Sequence, residues 1–188
     1  MKILCETSVR HAHLGKADFE ALFGKDAQLG VVRNISQPGQ FLSDKRIDLV
    51  GPKRTIEGVS ILGPLRPETQ IEVSRSDCFT LGMKDVLVRC SGDLKGTPGM
   101  TLRAGDKTVD LKQGVIVIQR HVHIDSDTAR KHGFTDGQVV KIKIDGPRGG
   151  VLANVTVRTG KGHSNAVHID SDEGNAMGIG CGGVKIIK

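Results

Sequence analysis

A mainly β protein built from two related β-rich halves is the fold class this sequence predicts, and three observations predict it. Short β-branched runs recur, such as Val86-Leu87-Val88, Val115-Ile116-Val117-Ile118 and Val139-Val140-Lys141-Ile142-Lys143-Ile144. Gly, Pro, Asp and Ser clusters separate them, with 25 glycines in 188 residues, at the spacing of a sandwich or barrel. The chain also echoes itself: Arg10-His11-Ala12-His13-Leu14 returns as Arg120-His121-Val122-His123-Ile124. Internal similarity of this kind sets the architecture before any single element does.

Taken in order, a strand-like Ile3-Leu4 opens the chain, and the first His-x-His strand follows. The spacing predicts a helix over Lys16 to Phe23, with Phe19, Leu22 and Phe23 on one side and Gly24 as its stop. Residues near 24–44 read as a two-stranded insertion. A Gly51-Pro52-Lys53-Arg54 turn precedes Val59, and Ile71-Glu72-Val73-Ser74-Arg75-Ser76-Asp77 runs on to Leu81-Gly82. The second half repeats the order. A helix from about Ser126 to His132 stops at Gly133, a Gly146-Pro147-Arg148 turn precedes Val151, and Val167-His168-Ile169-Asp170-Ser171-Asp172-Glu173 runs on to Met177-Gly178. The echo divides the chain into halves at 10–118 and 119–188, and it sets Glu72 opposite His168.

Hydrophobic residues at 37% and charged residues at 26% are the balance of an ordinary globular protein. The 27 basic and 21 acidic side chains leave a formal charge of +6, which favours anionic partners. Nucleic acid is disfavoured, because the chain has no Trp or Tyr on which bases would stack. No signal-peptide pattern and no long apolar run is present, so the expectation is a cytoplasmic protein without membrane association. Cys5, Cys78, Cys90 and Cys181 are too dispersed to read as a disulfide framework or a zinc-binding pair.

The histidines carry the chemistry. Side chains at i and i+2 of a strand point the same way, so His11 and His13, and again His121 and His123, can converge on one ion. Their flanks Ala12 and Leu14, or Val122 and Ile124, suit a buried opposite face. A single His-x-His arises by chance in roughly 0.3 copies in such a chain, but two copies in matching contexts do not. Adding the residues that the echo aligns gives the sets His11, His13, Glu72 and His121, His123, His168. Such sets of three match the shells of catalytic zinc, which keep a further position open. His132 and His163 read as solvated or capping residues, with His163 the substitute for His168 if the alignment slips by a few residues. The cysteines read as small buried hydrophobes, Cys78 included. Arg66, six residues before Glu72 and after a Gly-Pro turn, is the most prominent cation.

At this point the motifs resemble those of the phosphate propanoyltransferase family, the phosphotransacylases of bacterial microcompartments. The resemblance is carried by Thr7-Ser8-Val9-Arg10-His11-Ala12-His13-Leu14, Ser36-Gln37-Pro38-Gly39-Gln40-Phe41, Leu62-Gly63-Pro64-Leu65-Arg66, Thr69-Gln70-Ile71-Glu72-Val73-Ser74, Ser91-Gly92-Asp93-Leu94-Lys95-Gly96, Arg120-His121-Val122-His123 and His168-Ile169-Asp170-Ser171-Asp172-Glu173-Gly174-Asn175-Ala176. It implies two interlocked β-barrels, the N-terminal strand 1–9 joining the barrel of the C-terminal half, with a metal site between them. It implies two divalent ions, zinc expected, on the six ligands named above, with Arg66 as the phosphate-positioning, catalytic arginine. The implied reaction takes acyl-CoA, propanoyl or acetyl, and phosphate to acyl phosphate and coenzyme A. A homodimer is what the family suggests, as is a place in propanediol degradation. The family's encapsulation extension is not seen ahead of Arg10, so the expectation is a cytoplasmic bacterial enzyme, with microcompartment association as the alternative. The segment after Ala176 is assigned no role. Two rival functions fit the same residues: a zinc-dependent thioester or ester hydrolase, and a non-catalytic β-barrel module stapled by metal.

Overall fold

The structure, a computed structural model, describes all residues from Met1 to Lys188. Fifteen strands and four short helices make it mainly β, as the β-branched runs require. In chain order these are β1 (Lys2–Ser8), β2 (His11–His13), α1 (Lys16–Phe23), β3 (Val31–Asn34), β4 (Phe41–Val50), β5 (Thr55–Gly63), β6 (Gln70–Val73), α2 (Arg75–Leu81), β7 (Val88–Arg89), β8 (Thr101–Ala104), β9 (Lys107–Asp110), β10 (Val115–Ile118), β11 (His121–Asp125), α3 (Ser126–His132), β12 (Val139–Ile144), β13 (Gly150–Gly160), β14 (Ala166–Asp170), α4 (Ser171–Met177) and β15 (Cys181–Ile187). They form two compact units. One comprises Met1–Val9, Ser36–Pro38 and Gln119–Lys188; the other comprises Arg10–Ile35 and Gly39–Ile118.

The first unit is a closed barrel in the order β1-β14-β11-β13-β12-β15. The N-terminal strand is a full member: β1 runs parallel to β14 and antiparallel to β15. Val122, Ile124, Val155, Val157, Val167 and Ile169 alternate inward and are fully buried. The tail, assigned no role from the sequence, supplies the closing strand. Its β15 pairs with β1 on one side and β12 on the other, and sends Val184 and Ile186 into the core. Each such aliphatic side chain contributes about 1.5–3 kcal/mol on burial, and closure removes two unpaired strand edges.

The second unit is a nine-stranded sheet in the order β7-β10-β6-β2-β5-β4-β8-β9, with β3 paired to β4, and it stays open as a half-barrel. Its core gathers Leu14, Ile47, Leu49, Ile61, Ile71 and Leu81, all at 1% exposure or less. Helix α1 covers the β8–β9 end of the sheet with Phe19 and Leu22 buried. It stops at Gly24, whose backbone N–H caps the Glu20 carbonyl. In the region read as an insertion, β3 and the start of β4 form a hairpin, leaving Val31 and Val32 exposed.

The internal echo is a repeat of topology as well as of letters. In the half-barrel β2 lies parallel to β5 and antiparallel to β6. In the closed barrel β11 lies parallel to β13 and antiparallel to β14. Each His-x-His strand is followed by a helix, then by a hairpin turning at Gly-Pro, then by the strand bearing Glu72 or His168. Helix α3 ends where predicted, at Gly133 in the left-handed conformation (φ 64°). Helices α2 and α4 go beyond the sequence expectation. Each begins with a reciprocal capping box, Ser74 with Asp77 and Asp170 with Glu173, in which side chain and backbone N–H satisfy one another. Seven-residue helices are marginal by themselves, so their caps and the strands they follow hold them.

Candidate metal centres

In the half-barrel, the register of β2 against β6 places His11 directly opposite Glu72. The next position on the same face of β2 is His13, and the three side chains meet. His11 Nε2 lies 3.3 Å from one Glu72 oxygen and His13 Nε2 lies 3.8 Å from the other. One donor atom from each falls within 4.8 Å of the others, and all three residues are buried. Two donors bonded to one zinc at ~2.0–2.1 Å around a tetrahedron are about 3.3 Å apart. The spacing therefore suits a single ion with little movement of the side chains. Burial first, then His11, holds the His13 imidazole down to about 3; Glu72 pulls the other way and the Arg66 guanidinium adds to the depression. His13 is thus a neutral imidazole with a free lone pair, the form that binds metal.

Arg66 is brought beside this triad by backbone pairing. Its N–H donates to the Leu14 carbonyl at 2.8 Å, and it forms an isolated parallel bridge with Gly15, just past the end of β2. One guanidinium nitrogen donates to Ser91 Oγ at 2.9 Å. Gln70, 1% exposed, ties the set together. Its amide nitrogen donates to Glu72 at 2.5 Å and to Ser91 Oγ at 2.9 Å, while its oxygen accepts from Gly92 N–H at 2.7 Å. The carboxylate of the triad and the arginine are therefore parts of one hydrogen-bonded chain, Glu72-Gln70-Ser91-Arg66. Gln70 and Ser91 were not singled out as site residues from sequence. Gln70 carries a signal that would have found it, since it lies two positions before Glu72 and hence on the same strand face.

In the closed barrel the same register recurs, with His121 directly opposite His168. The ring centroids of His121 and His123 are 4.9 Å apart, those of His121 and His168 5.3 Å, and those of His123 and His168 5.4 Å. These imidazoles are half-buried, more open than the triad of the half-barrel. His121 Nδ1 lies 2.9 Å from the Gln119 carbonyl, which can only accept, so Nδ1 carries the proton and Nε2 keeps its lone pair. His168 Nε2 lies 3.3 Å from the amide nitrogen of Gln37, which also donates to the Ser164 carbonyl at 3.2 Å. Burial and then the neighbouring imidazoles push His123 down to about 2. His163, expected to be a solvated or capping residue, instead packs edge-on against His123, with centroids 4.7 Å apart. His132 is exposed at the end of α3, as expected.

The arginine before each His-x-His is clamped in the same way in both units. Arg10 Nε donates to Asp77 at 2.7 Å, and Arg120 Nε to Glu173 at 2.6 Å. Each acid is the third residue of the capped helix that follows the strand bearing Glu72 or His168. The clamps lock the start of each histidine strand to the helix behind its partner strand, a supporting role of the kind that orients metal ligands. Of the cysteines, Cys78 sits in the half-barrel core and Cys5 in the closed-barrel core, where burial pushes its thiol up to about 12.

The depressed histidines make the stability of the metal-free protein depend on pH. Unfolded imidazoles take up protons below about 6.5, whereas His13 and His123 do so only near 3 and near 2 when folded. Between those limits the unfolded chain binds more protons, so stability rises with pH through that window and falls as pH drops from 6.5. Denaturant midpoints of metal-free protein should fall steadily from pH 7 to pH 4, and less steeply in a His13→Gln, His123→Gln double variant. A flat profile in the parent protein would show that these rings are not held neutral.

Residues 4–180 match the profile of a family described as phosphate propanoyltransferase. The chain is similar to a protein of Sebaldella termitidis named phosphate propanoyltransferase, 43% identical over 96% of this chain and 85% of that one. It is 44% identical to the protein of that name from Alkaliphilus metalliredigens, over 94% of this chain and 82% of that one. With the one from Thermotoga maritima it shares 39% identity over 96% of this chain and 86% of that one. No helix is long and apolar enough to cross a membrane.

Proposed function

Because the chain belongs to the phosphate propanoyltransferase family, and so to the acyltransferases, we propose that it exchanges a short acyl group, propanoyl or acetyl, between coenzyme A and inorganic phosphate, using two divalent cations, zinc by preference. His11, His13 and Glu72 hold one cation, and His121, His123 and His168 hold the other. The observation that carries this reading is the convergence of three metal donors within 4.8 Å in a site joined by Gln70 and Ser91 to Arg66.

The reaction is an addition of a phosphate oxygen to the thioester carbon. A carbon–oxygen bond forms, the carbon–sulfur bond breaks, and the proton of hydrogen phosphate ends on the departing thiol. Its difficulty is electrostatic, because negative charge builds on the carbonyl oxygen and on sulfur while a phosphate anion approaches. A bound divalent cation supplies Lewis acidity at that point, as in other metal-assisted acyl and phosphoryl transfers. The guanidinium of Arg66 offers a planar fork for two phosphate oxygens, fixing the nucleophile in one orientation. Ser91 Oγ already accepts from both Arg66 and Gln70, so its own proton is left to point elsewhere, toward a further acceptor. Glu72, gripped by Gln70, stays oriented toward the histidines. In this reading attack is direct, without an acyl-enzyme; Cys5 and Cys78 are sealed in apolar cores and do not serve as nucleophiles.

The test is thiol release from propanoyl-CoA and from acetyl-CoA, with and without phosphate, on protein of measured metal content. Release that requires phosphate and yields acyl phosphate supports the proposal. Equal release in water alone would make the protein a thioester hydrolase, and no release with both substrates would leave a metal-stapled module. The two acyl groups differ by one methylene, worth about 1–3 kcal/mol in a pocket, so rates within 200-fold of each other are expected.

A further inference from the structure

A metal-binding imidazole offers one nitrogen to the ion and must satisfy the other, and in the closed barrel the two histidines of β11 meet that demand differently. His121 uses the Gln119 carbonyl at 2.9 Å. His123 Nδ1 faces the Nδ1 of a second imidazole, that of His163, at 3.3 Å. Two such nitrogens can bond only if one carries the proton and the other does not. For His123 to keep a lone pair on Nε2, its proton must sit on Nδ1, and His163 must accept it.

From this geometry we infer that His163 is a positioning residue for the closed-barrel cation site: it accepts the His123 Nδ1–H, sets the tautomer and ring orientation, and so aims Nε2 at the ion. The inference rests on the reading above that His121, His123 and His168 hold a cation.

The loop between β13 and β14 is built to deliver that ring. Gly162 N–H donates to one Asp125 oxygen at 2.8 Å, and Asp125 N–H donates to the Asn165 side chain at 2.8 Å, so both sides of His163 are pinned to the end of β11. The Ser164 carbonyl is held by Gln37 at 3.2 Å. Gly160, at the end of β13, leaves the room: a Cβ there would stand 2.5 Å from His163 Cε1 and Nε2. A methyl at that position must displace the imidazole, the movable partner, and this provides a second way to remove it without touching His163.

The experiment titrates full-length protein with zinc against a competing chelator. His163→Leu should weaken one of two sites by about 10–100-fold, the usual effect of losing a partner behind a metal-bound histidine, and leave the other site as it was. His163→Asn, whose side-chain oxygen falls near the place of Nδ1, should recover most of that loss, and Gly160→Ala should reproduce the Leu result. Thermal unfolding of the metal-free variants checks that the barrel is intact. Unchanged affinity in His163→Leu overturns the inference, as does an Asn variant no better than Leu. A Co2+ absorption spectrum altered equally in both variants would make His163 a ligand itself and overturn the positioning role. Parent protein that takes up a single ion, retained on replacing His121 but lost on replacing His11, refutes the second cation site and the inference with it. Two ions in the parent and an indifferent His163 refute the inference alone.

Discussion

Arg66→Ala should lower kcat/KM for phosphate by about 10²–10³-fold, the range for removing one fixed donor from a developing anion. The fold should survive, because the side chain is only partly buried and lies outside the apolar core. Arg66→Lys keeps the charge and loses the fork, so it should recover only part of the rate, with KM for phosphate still raised. KM for acyl-CoA should move less than KM for phosphate in both variants. Steady-state kinetics with each substrate varied in turn, beside a melting curve, separates these effects. An alanine variant of undiminished activity would remove Arg66 from the mechanism, and equal losses toward both substrates would point to a general distortion around Gln70 and Ser91.

Stripping the protein of divalent ions should abolish turnover and lower its melting temperature, and zinc should restore both. The triad of His11, His13 and Glu72 buries a carboxylate beside two imidazoles, one of them held neutral by burial. A cation would offset the negative charge there and engage imidazole nitrogens in the neutral form that binds metal. By linkage, zinc at 1,000 times its dissociation constant adds about 4 kcal/mol per site. In a chain of this size that corresponds to a rise of order 10 °C. Scanning calorimetry over a zinc series, with bound metal measured at each point, gives the slope. Full activity in protein shown to be free of divalent ions would end the metal-assisted reading, and a melting temperature indifferent to zinc would end it for this site.

Much of the site was legible in the chain because its information is local and doubled. An imidazole at i and another at i+2 share a strand face whatever the rest of the fold does, so the pairing of His11 with His13 and of His121 with His123 is set by the local sequence. The echo then carried the third member of each set. Glu72 and His168, aligned as counterparts in sequence, hold equivalent register positions in their own sheets, opposite His11 and His121 in antiparallel pairs. The helices at Ser74 and Asp170 were also written locally, in a capping residue followed three positions later by an acid. They went unread because a seven-residue helix buries too few side chains to show a helical period.

What the sequence by itself determined is the class of fold, the duplication and the shared strand face of each His-x-His pair, from which the six proposed metal ligands were drawn, since each follows from alternation along a strand or from similarity between segments. Only the tertiary structure decided that the tail closes the barrel as β15, that Gln70 and Ser91 link Glu72 to Arg66, and that His163 turns to His123 rather than to water. Those facts depend on hydrogen bonds between residues 21 to 40 positions apart, or on strand pairs joining opposite ends of the chain. Local preference has no reach over such distances. Partners of that kind are chosen by which edges and polar groups remain unsatisfied once both cores have packed.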